Sequence, residues 1–292
     1  MKITRIKIQA NLDQPVKLLH IADTHLTLSD KRDEEKIQDL AQRRGIEFEN
    51  DGPLTGPGCV MRGLDEALEY VQHNDELLLY SGDLLDFITV RNIETVKEKF
   101  LSCDCFIAVG NHDFCSFMGV GYDSKEDRKK YWDTVQSLFL NDIGFAAREY
   151  RGLNLIALDN SDYQFTVAQI ELFKAEAAKN LPILLLAHTP LFTIELYERQ
   201  INKGVHCAYA VGCPEAKMDI YPEYCRREQT PTPVTLEFLD CLYRTKCVKA
   251  VLCGHMHYDD NFTTMLPNDI PQHIVGGNYK GCANEYIVGQ LH

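Results

Sequence analysis

The chain has 292 residues, of which 45% are hydrophobic, and its formal net charge is −13, with 43 acidic against 30 basic side chains. A chain of this length and composition can bury a large core, and we expect a single domain over residues 1–292. The acidic balance argues against broad, sequence-independent binding of nucleic acid, because a negative surface repels polyanions.

Six short apolar runs are predicted to be β-strands buried on both faces of a sheet, because each is almost continuous in Val, Ile, Leu and Ala. They are residues 16–23, 76–83, 105–113, 153–160, 182–190 and 248–257. Amphipathic stretches predict helices at residues 60–72, 92–101, 128–139, 166–179 and 233–244. Two further strands are predicted near the end, at 273–277 and 285–291. This alternation predicts a layered α/β fold.

Two segments interrupt the alternation and are predicted to be surface excursions. Residues 29–58 contain a charged run followed by a Gly/Pro-rich stretch, and residues 191–232 are rich in Tyr, Cys and Pro. Such an insertion is either a functional lid or a tolerated loop. Within the second excursion we expect Tyr209, Tyr221 and Tyr224 to pack the segment rather than to stack on a ligand. The segment GGNYKG at 276–281 either places a polar loop beside the cleft or is a simple connection between strands, and we favour the connection.

The first residues alternate apolar and polar side chains, and the longest apolar stretch, LPILLLA at 181–187, is too short to span a bilayer. We therefore expect no signal peptide and no membrane association. The cysteines number eleven and are scattered from Cys59 to Cys282, unlike a secreted disulfide framework. A reducing, cytoplasmic location is expected. In the CDC segment we expect one buried and one surface thiol, because zinc and thioredoxin patterns need two intervening residues.

Five of the six predicted strands end in side chains that can bind a metal. The segments ADTH, SGDLLD, GNHD, AHTP and CGHMH supply Asp23, His25, Asp83, Asp86, Asn111, His112, Asp113, His188, His255 and His257. Ligand sites in open α/β sheets form beyond the carboxyl ends of the strands, so these termini are expected to meet in one cleft. Alternate residues of DTH and HMH project the same way if the chain is extended there.

Four imidazoles, two carboxylates and one amide oxygen are too many donors for one zinc ion. They suit two divalent ions that share a bridging carboxylate. The glycines of SGD, GNH and CGH permit tight turns where the backbone passes close to the ions. The sequence therefore predicts a centre of two divalent metal ions.

The ordered set D-x-H, G-D-x-x-D, G-N-H-D, a lone His before T-P, and G-H-x-H resembles the motifs of the calcineurin-like metallophosphoesterase superfamily, over residues 23–257. The resemblance implies an α/β fold built as a four-layer α/β/β/α sandwich of two mixed sheets. It also implies how the ions would be held. Asp23, His25 and His257 would bind one ion, Asn111, His188 and His255 the other, with Asp83 bridging both and Asp86 behind the ligands.

The function implied by the resemblance is hydrolysis of a small phosphomonoester or phosphodiester through attack by a hydroxide that bridges the two ions. His112 would act as general acid, and Asp113 is expected to hold its ring and to raise its pKa. Asp86 stands where purple acid phosphatases carry a tyrosine, so an iron–phenolate site is disfavoured and manganese, ferrous iron and zinc remain open. Two alternatives are a nuclease and a non-catalytic scaffold for protein contacts. The oligomeric state is left open.

Overall fold

The computed structural model of the chain describes residues 1–100, 103–117 and 124–290. In chain order the strands are β1 (Lys2–Gln9), β2 (Val16–Ile21), β3 (Leu77–Ser81), β4 (Cys105–Ala108), β5 (Phe145–Tyr150), β6 (Leu153–Leu158), β7 (Ile183–Leu186), β8 (Val248–Cys253), β9 (Phe262–Leu266), β10 (Ile270–Ile274) and β11 (Cys282–Gly289). The helices are α1 (Glu35–Glu49), α2 (Cys59–Asn74), α3 (Val90–Phe100), α4 (Ser124–Gln136), α5 (Val167–Ala177), α6 (Ile194–Asn202), α7 (Glu223–Gln229) and α8 (Pro233–Arg244).

The strands form two mixed sheets. The first has the order β1-β11-β2-β3-β4, in which only β11 and β2 are antiparallel neighbours. The second has the order β5-β6-β7-β8-β10-β9, in which β5 and β9 run antiparallel to their neighbours. Strands β2, β3 and β4 of the first sheet are therefore parallel to one another, as are β6, β7, β8 and β10 of the second, and the carboxyl ends of each set lie at one edge of its sheet.

Three apolar interfaces separate the layers, and alternate residues of each central strand enter different interfaces. Leu18 of β2 and Leu184 of β7 lie in the cluster between the two sheets. Leu19 faces the opposite way, into a cluster with residues of α2 and α3. Leu185 likewise packs with residues of α5 and α8 on the outside of the second sheet. The order of the layers is helix, sheet, sheet, helix, which confirms the predicted four-layer α/β/β/α sandwich.

Two helices begin at signals that can be read directly from the chain. The Thr166 side chain accepts a hydrogen bond from the backbone N–H of Gln169, and the Gln169 side chain accepts one from the backbone of Thr166, which makes a capping box for α5. Helix α8 begins with Pro233 directly after Thr232, whose side chain caps the first turn. Both helices cover the outer face of the second sheet, and each cap satisfies a backbone N–H group in the first turn of its helix.

Several sequence predictions need correction. The excursion at 29–58 contains α1, and the excursion at 191–232 contains α6 and α7. Strands β1, β5 and β9 were not predicted, because all three are edge strands whose burial is partial and whose apolar runs are therefore interrupted. Cys103 and Cys105 are both partly exposed, so the expected split into one buried and one surface thiol is wrong.

The last residues of the predicted helix at 92–101 and of the predicted strand at 285–291, residues 101 and 291, lie outside the described residues. Within the described ranges, no helix combines the length and the apolar character needed to cross a bilayer.

Candidate metal centre

The ends of β2, β3, β7 and β8 bring the predicted ligands into two adjoining groups. Donor atoms of Asp23, His25, Asp83 and His257 lie within 4.8 Å of one another, and donor atoms of Asp83, His188 and His255 do the same. Asp83 belongs to both groups. The two sheets meet here, since the backbone N–H of His255 donates to the Asp23 carboxylate and His188 contacts the end of β3.

The first pair of histidines is oriented by a carboxylate. Nδ1 of His25 lies 3.0 Å from Oδ1 of Asp86, so this nitrogen carries the proton and Nε2 carries the lone pair. Nε2 of His25 lies 2.8 Å from Nε2 of His257 and 3.7 Å from Oδ2 of Asp83. Ring nitrogens and a carboxylate oxygen therefore converge on one point, where a cation satisfies their lone pairs.

The second group is built in the same way around His188. Its Nδ1–H donates to the carbonyl of Ser81 at 2.7 Å, so Nε2 is the nitrogen directed at the other donors. Nε2 lies 3.0 Å from Nδ1 of His255 and 3.2 Å from Oδ2 of Asp83. The opposite nitrogen of His255 lies 3.1 Å from the hydroxyl of Tyr163. Each imidazole is thus held from behind while its other nitrogen faces the neighbouring donors.

Two buried oxygens at this place have no hydrogen-bond partner among the described residues: Oδ2 of Asp83 and Oδ1 of Asn111. The other oxygen of Asp83 accepts the backbone N–H of His112 at 2.8 Å, which also brings Asn111 to the centre. Buried polar atoms without partners are rare, and an ion explains both of these. The nitrogen and oxygen donors present fit two divalent cations that share Asp83.

The electrostatics of the centre call for positive charge. Burial raises the pKa of Asp23 to about 8, because the carboxylate is withdrawn from water. Burial lowers the pKa of His255 to about 3, so its ring is neutral, which is the form that binds metals. Burial also acts to lower the pKa of His188, but the charge of Asp83 outweighs it and raises that pKa to about 9. A cation bound here would lower the pKa values of Asp23 and His188 and so favour the ionised carboxylate and the neutral ring, which are the forms that bind metals.

The backbone at the ligands is left-handed rather than extended. The φ angles are 57° at Asp23, 54° at His25, 57° at Asp83, 73° at His255 and 45° at His257. The expectation that DTH and HMH project their side chains from extended chain is therefore wrong. Non-glycine residues in this region cost about 1–3 kcal/mol each and are concentrated at functional sites. Contacts with the surrounding structure must therefore stabilise these strained backbone conformations.

Two glycines make these turns possible. Gly82 has φ +91°, and a Cβ added there would lie 2.5 Å from Nδ1 of His188. A Cβ added at Gly110 would lie 2.1 Å from Oδ1 of Asp83. Any side chain at either position would displace a candidate ligand, which is the physical reason for glycine in SGD and GNH.

His112 is oriented by Asp86, not by Asp113 as predicted from the sequence. Nδ1 of His112 lies 3.1 Å from Oδ1 of Asp86, and its side chain is 13% exposed. The carboxylate of Asp113 instead accepts backbone N–H groups of Asp83 at 3.0 Å, Leu85 at 2.9 Å and Gly110 at 2.8 Å. Asp113 therefore stabilises the loops that carry the ligands, and its expected role in holding the ring is wrong.

The charge around His112 favours its protonated form. Burial acts to lower the pKa of His112, but the carboxylates of Asp83 and Asp86 outweigh this effect and raise the pKa to about 9. The Asp86 pKa is held well below its usual range, because hydrogen bonds from Arg44, His112 and His25 outweigh its burial. An ionised carboxylate therefore faces a protonated imidazole.

Two further parts of the chain lie against the site. Arg44 of α1 donates to both oxygens of Asp86, and no motif distinguishes it from other residues of its charged run. The segment at 276–281 also lies beside the site, which agrees with the alternative left open from the sequence and not with the simple connection that was favoured. The N–H of Asn278 donates to the carbonyl of Ala22, and the ring of Tyr279 lies 5.8 Å from that of His257.

The tyrosines of the 191–232 excursion occupy three different environments. Tyr221 is buried, and its hydroxyl accepts the N–H of Ala208. Tyr224 is exposed. Tyr209 lies at the edge of the centre, where its ring is 6.0 Å from the ring of His255. The expected packing role therefore describes Tyr221 and also Tyr209, which packs against the core of the second sheet while its ring adjoins a candidate ligand.

Comparison with known proteins relates the chain to one family. The family model for calcineurin-like phosphoesterases matches residues 16–259. A search of curated proteins gave no significant match. A dimetal phosphatase from Danio rerio superposes with a TM-score of 0.52 at 13% identity, with 92% of this chain and 89% of that chain covered.

Two further solved structures match with lower TM-scores. A 5'-nucleotidase from Candida albicans gives a TM-score of 0.42 at 14% identity, with 92% of this chain and 47% of that chain covered. A phosphopantetheinyl hydrolase from Mycobacterium tuberculosis gives a TM-score of 0.41 at 11% identity, with 92% of each chain covered. At 13% identity, the likeness to the dimetal phosphatase concerns the fold alone.

Proposed function

Because the chain belongs to the calcineurin-like phosphoesterase family, we propose that it hydrolyses a small phosphomonoester or phosphodiester at a centre of two divalent metal ions. Asp23, His25 and His257 would hold one ion, and Asn111, His188 and His255 the other, with Asp83 shared between them. Manganese, ferrous iron and zinc all accept such a mixed set of nitrogen and oxygen donors. A reducing, cytoplasmic setting is part of the same proposal and is supported by the scattered, odd number of cysteines.

The observation that carries the proposal is the position of Asp83. Its Oδ2 lies 3.7 Å from Nε2 of His25 and 3.2 Å from Nε2 of His188, and no described residue donates a hydrogen bond to it. Because this oxygen lies beside both groups of histidines, its position supports a role as a ligand shared by two ions. When bound, such ions neutralise charge on a phosphate ester and lower the pKa of a shared water toward neutrality.

His112 is proposed as the proton donor to the leaving oxygen. Its Nδ1–H faces Asp86, which leaves Nε2 as the nitrogen that gives up the proton. The ring is partly exposed, so a substrate bound at the centre has access to it. Asp86 would keep the ring in one orientation, and the same carboxylate would keep His25 in the tautomer that binds metal.

Two other functions compete with this one. A nuclease would need to attract a polyanion, and the formal net charge of −13 weighs against that. A non-catalytic scaffold with the same fold would not need the ligand positions and the proton donor. Here seven candidate ligands and His112 are all present, which favours an enzyme.

The test is hydrolysis of 4-nitrophenyl phosphate and bis(4-nitrophenyl) phosphate by purified protein loaded in turn with Mn²⁺, Fe²⁺ and Zn²⁺. We expect turnover of at least one ester, lost in Asp83→Asn and retained in Asp75→Asn, whose side chain is fully exposed. Nucleotides, cyclic nucleotides, sugar phosphates and phospholipid head groups form the second panel. Metal bound without turnover of any ester would favour the scaffold. Cleavage of single-stranded DNA or RNA without turnover of the small esters would favour the nuclease.

A further inference from the structure

Helix α1 lies in the segment that the sequence identifies only as a surface excursion. Its Arg44 side chain nevertheless reaches Asp86 beside the metal centre. Nε–H of Arg44 donates to Oδ2 of Asp86 at 2.7 Å, and Nη2–H donates to Oδ1 at 2.9 Å. This two-point contact fixes the plane of the carboxylate as well as its position. The Arg44 side chain is only 20% exposed, so the pair is largely shielded from water.

The contacts of the Asp86 carboxylate, including those with Arg44, restrict its rotation. Its side chain is fully buried, and Oδ1 also lies 3.0 Å from Nδ1 of His25 and 3.1 Å from Nδ1 of His112. Rotation of the carboxylate would break the contacts to both rings together. One guanidinium therefore determines the orientation of a proposed metal ligand and of the proposed proton donor.

Arg44 is also linked to His25 through the ring of Phe48. The guanidinium carbon lies 4.6 Å from the ring centre of Phe48, one helical turn further along α1. The Phe48 ring stacks on the ring of His25 at 5.0 Å. Glu47 accepts from Nη1 of Arg44 at 2.8 Å and completes its contacts. Arg44 thus reaches His25 through a carboxylate and through an aromatic ring.

We propose that Arg44 is a positioning residue of the metal centre, which acts through Asp86 on His112 and His25. This inference rests on the proposed function for its catalytic consequence, but its effect on metal binding does not depend on turnover. Arg44 touches neither substrate nor ions in this role. It makes the 29–58 segment part of the catalytic apparatus, and loss of its side chain leaves Asp86 with an oxygen that lacks its donor.

The experiment compares Arg44→Ala and Arg44→Lys with Arg43→Ala. Arg43 is the matched control, because it is the preceding residue of α1, is largely exposed and, among the described residues, forms an ion pair only with Glu47, at 3.9 Å. Phenyl phosphate and 4-nitrophenyl phosphate are assayed with saturating Mn²⁺, and Mn²⁺ affinity is measured by calorimetry on metal-free protein. Thermal unfolding identifies any variant that fails to fold.

In Arg44→Ala we expect kcat on phenyl phosphate to fall by about 10–100-fold, with a smaller loss on the better leaving group and KM changed by less than about threefold. Mn²⁺ affinity should fall by about 10–100-fold. Arg44→Lys should recover part of both losses, because it restores the charge but not the two-point contact. Arg43→Ala should match wild type.

Wild-type kcat and wild-type Mn²⁺ affinity in a folded Arg44→Ala would overturn the proposal, and so would equal losses in Arg43→Ala. If Arg44→Ala does not fold, the comparison of Arg44→Lys with Arg43→Ala decides in the same way. A wild-type protein that hydrolyses no ester would refute the proposed function, while the Mn²⁺ affinities would still decide the role of Arg44.

Discussion

Nδ1 of His112 lies 3.1 Å from Oδ1 of Asp86, and the same oxygen lies 3.0 Å from Nδ1 of His25. A single buried carboxylate oxygen therefore joins the proposed proton donor to a proposed metal ligand. Since both contacts use one atom, the orientation of one ring cannot change without an effect on the other.

Substitution of this carboxylate should impair turnover more than substrate binding. In Asp86→Asn the amide keeps one acceptor oxygen but loses the charge, so it cannot satisfy Arg44 and both rings together. We expect kcat to fall by about 10–100-fold with little change in KM, measured in steady-state kinetics on phenyl phosphate. Asp75→Asn, on the surface, is the control. A kcat within twofold of the control would contradict the role of Asp86.

Removal of the proposed proton donor should separate chemistry from metal binding. His112→Ala is expected to lower kcat on phenyl phosphate by about 10²–10⁴-fold, the range for a lost general acid. Its metal content should match wild type, because His112 is not among the proposed ligands. Elemental analysis measures the metal, and His73→Ala, at the exposed end of α2, is the control. Turnover of phenyl phosphate, which has a poor leaving group, at the wild-type rate would refute the assignment of His112.

The shared carboxylate should govern metal stoichiometry. Asp83→Asn replaces the charge that both proposed ions would share, so we expect fewer than two ions per chain after gel filtration, measured by inductively coupled plasma mass spectrometry. Unchanged binding of two ions, as in Asp75→Asn, would show that Asp83 does not bridge them.

Asp113 should matter for stability. Its carboxylate accepts three backbone N–H groups in the interior, so Asp113→Ala leaves them without a partner. We expect the free energy of unfolding to fall by about 3–5 kcal/mol, measured by urea unfolding of metal-free protein. Asp142→Ala is the matched control, because that carboxylate also accepts backbone N–H groups, of Gly144 and Phe145, but is exposed. Equal losses in the two variants would contradict the structural role of Asp113.

Acid should destabilise the protein through His20, which is buried in β2. Its ring nitrogens lie 2.8 Å from Oγ of Ser81 and 3.1 Å from the hydroxyl of Tyr286, and burial lowers its pKa from 6.5 to about 3. The unfolded chain therefore binds a proton below pH 6.5 that the folded chain refuses, so stability present above pH 6.5 is lost as the pH falls toward 3.

Between about pH 7.5 and about pH 5.5, His20 should account for a loss of about 1.4 kcal/mol in the free energy of unfolding. The measurement is urea unfolding of metal-free protein at both pH values. His20→Gln should show a correspondingly smaller loss than wild type, because only the difference between the two proteins isolates His20. His73→Gln should behave as wild type. Parallel pH dependence in wild type and His20→Gln would contradict this account.

The mostly buried strands could be predicted from the sequence, whereas the partly exposed edge strands β1, β5 and β9 could not. Leu18 and Leu19 are both buried because β2 has apolar layers on its two faces, and this leaves an unbroken apolar run in the chain. In β1 and β5 the alternate residues face solvent, so the run is interrupted and no strand signal stands out. Helix α1 was hidden for a similar reason, since its charged residues read as a solvated loop.

The sequence by itself determined where the buried strands lie along the chain and which polar side chains follow them, because apolar runs and motif spacing are local properties of the chain. Only the tertiary structure decided which carboxylate holds His112. Asp113 is its neighbour in sequence but turns to the backbone of the ligand loops, whereas Asp86, 26 residues earlier, meets the ring. The contribution of Arg44 was equally invisible, because rotamers, left-handed turns and the approach of a distant helix depend on packing between elements rather than on their order.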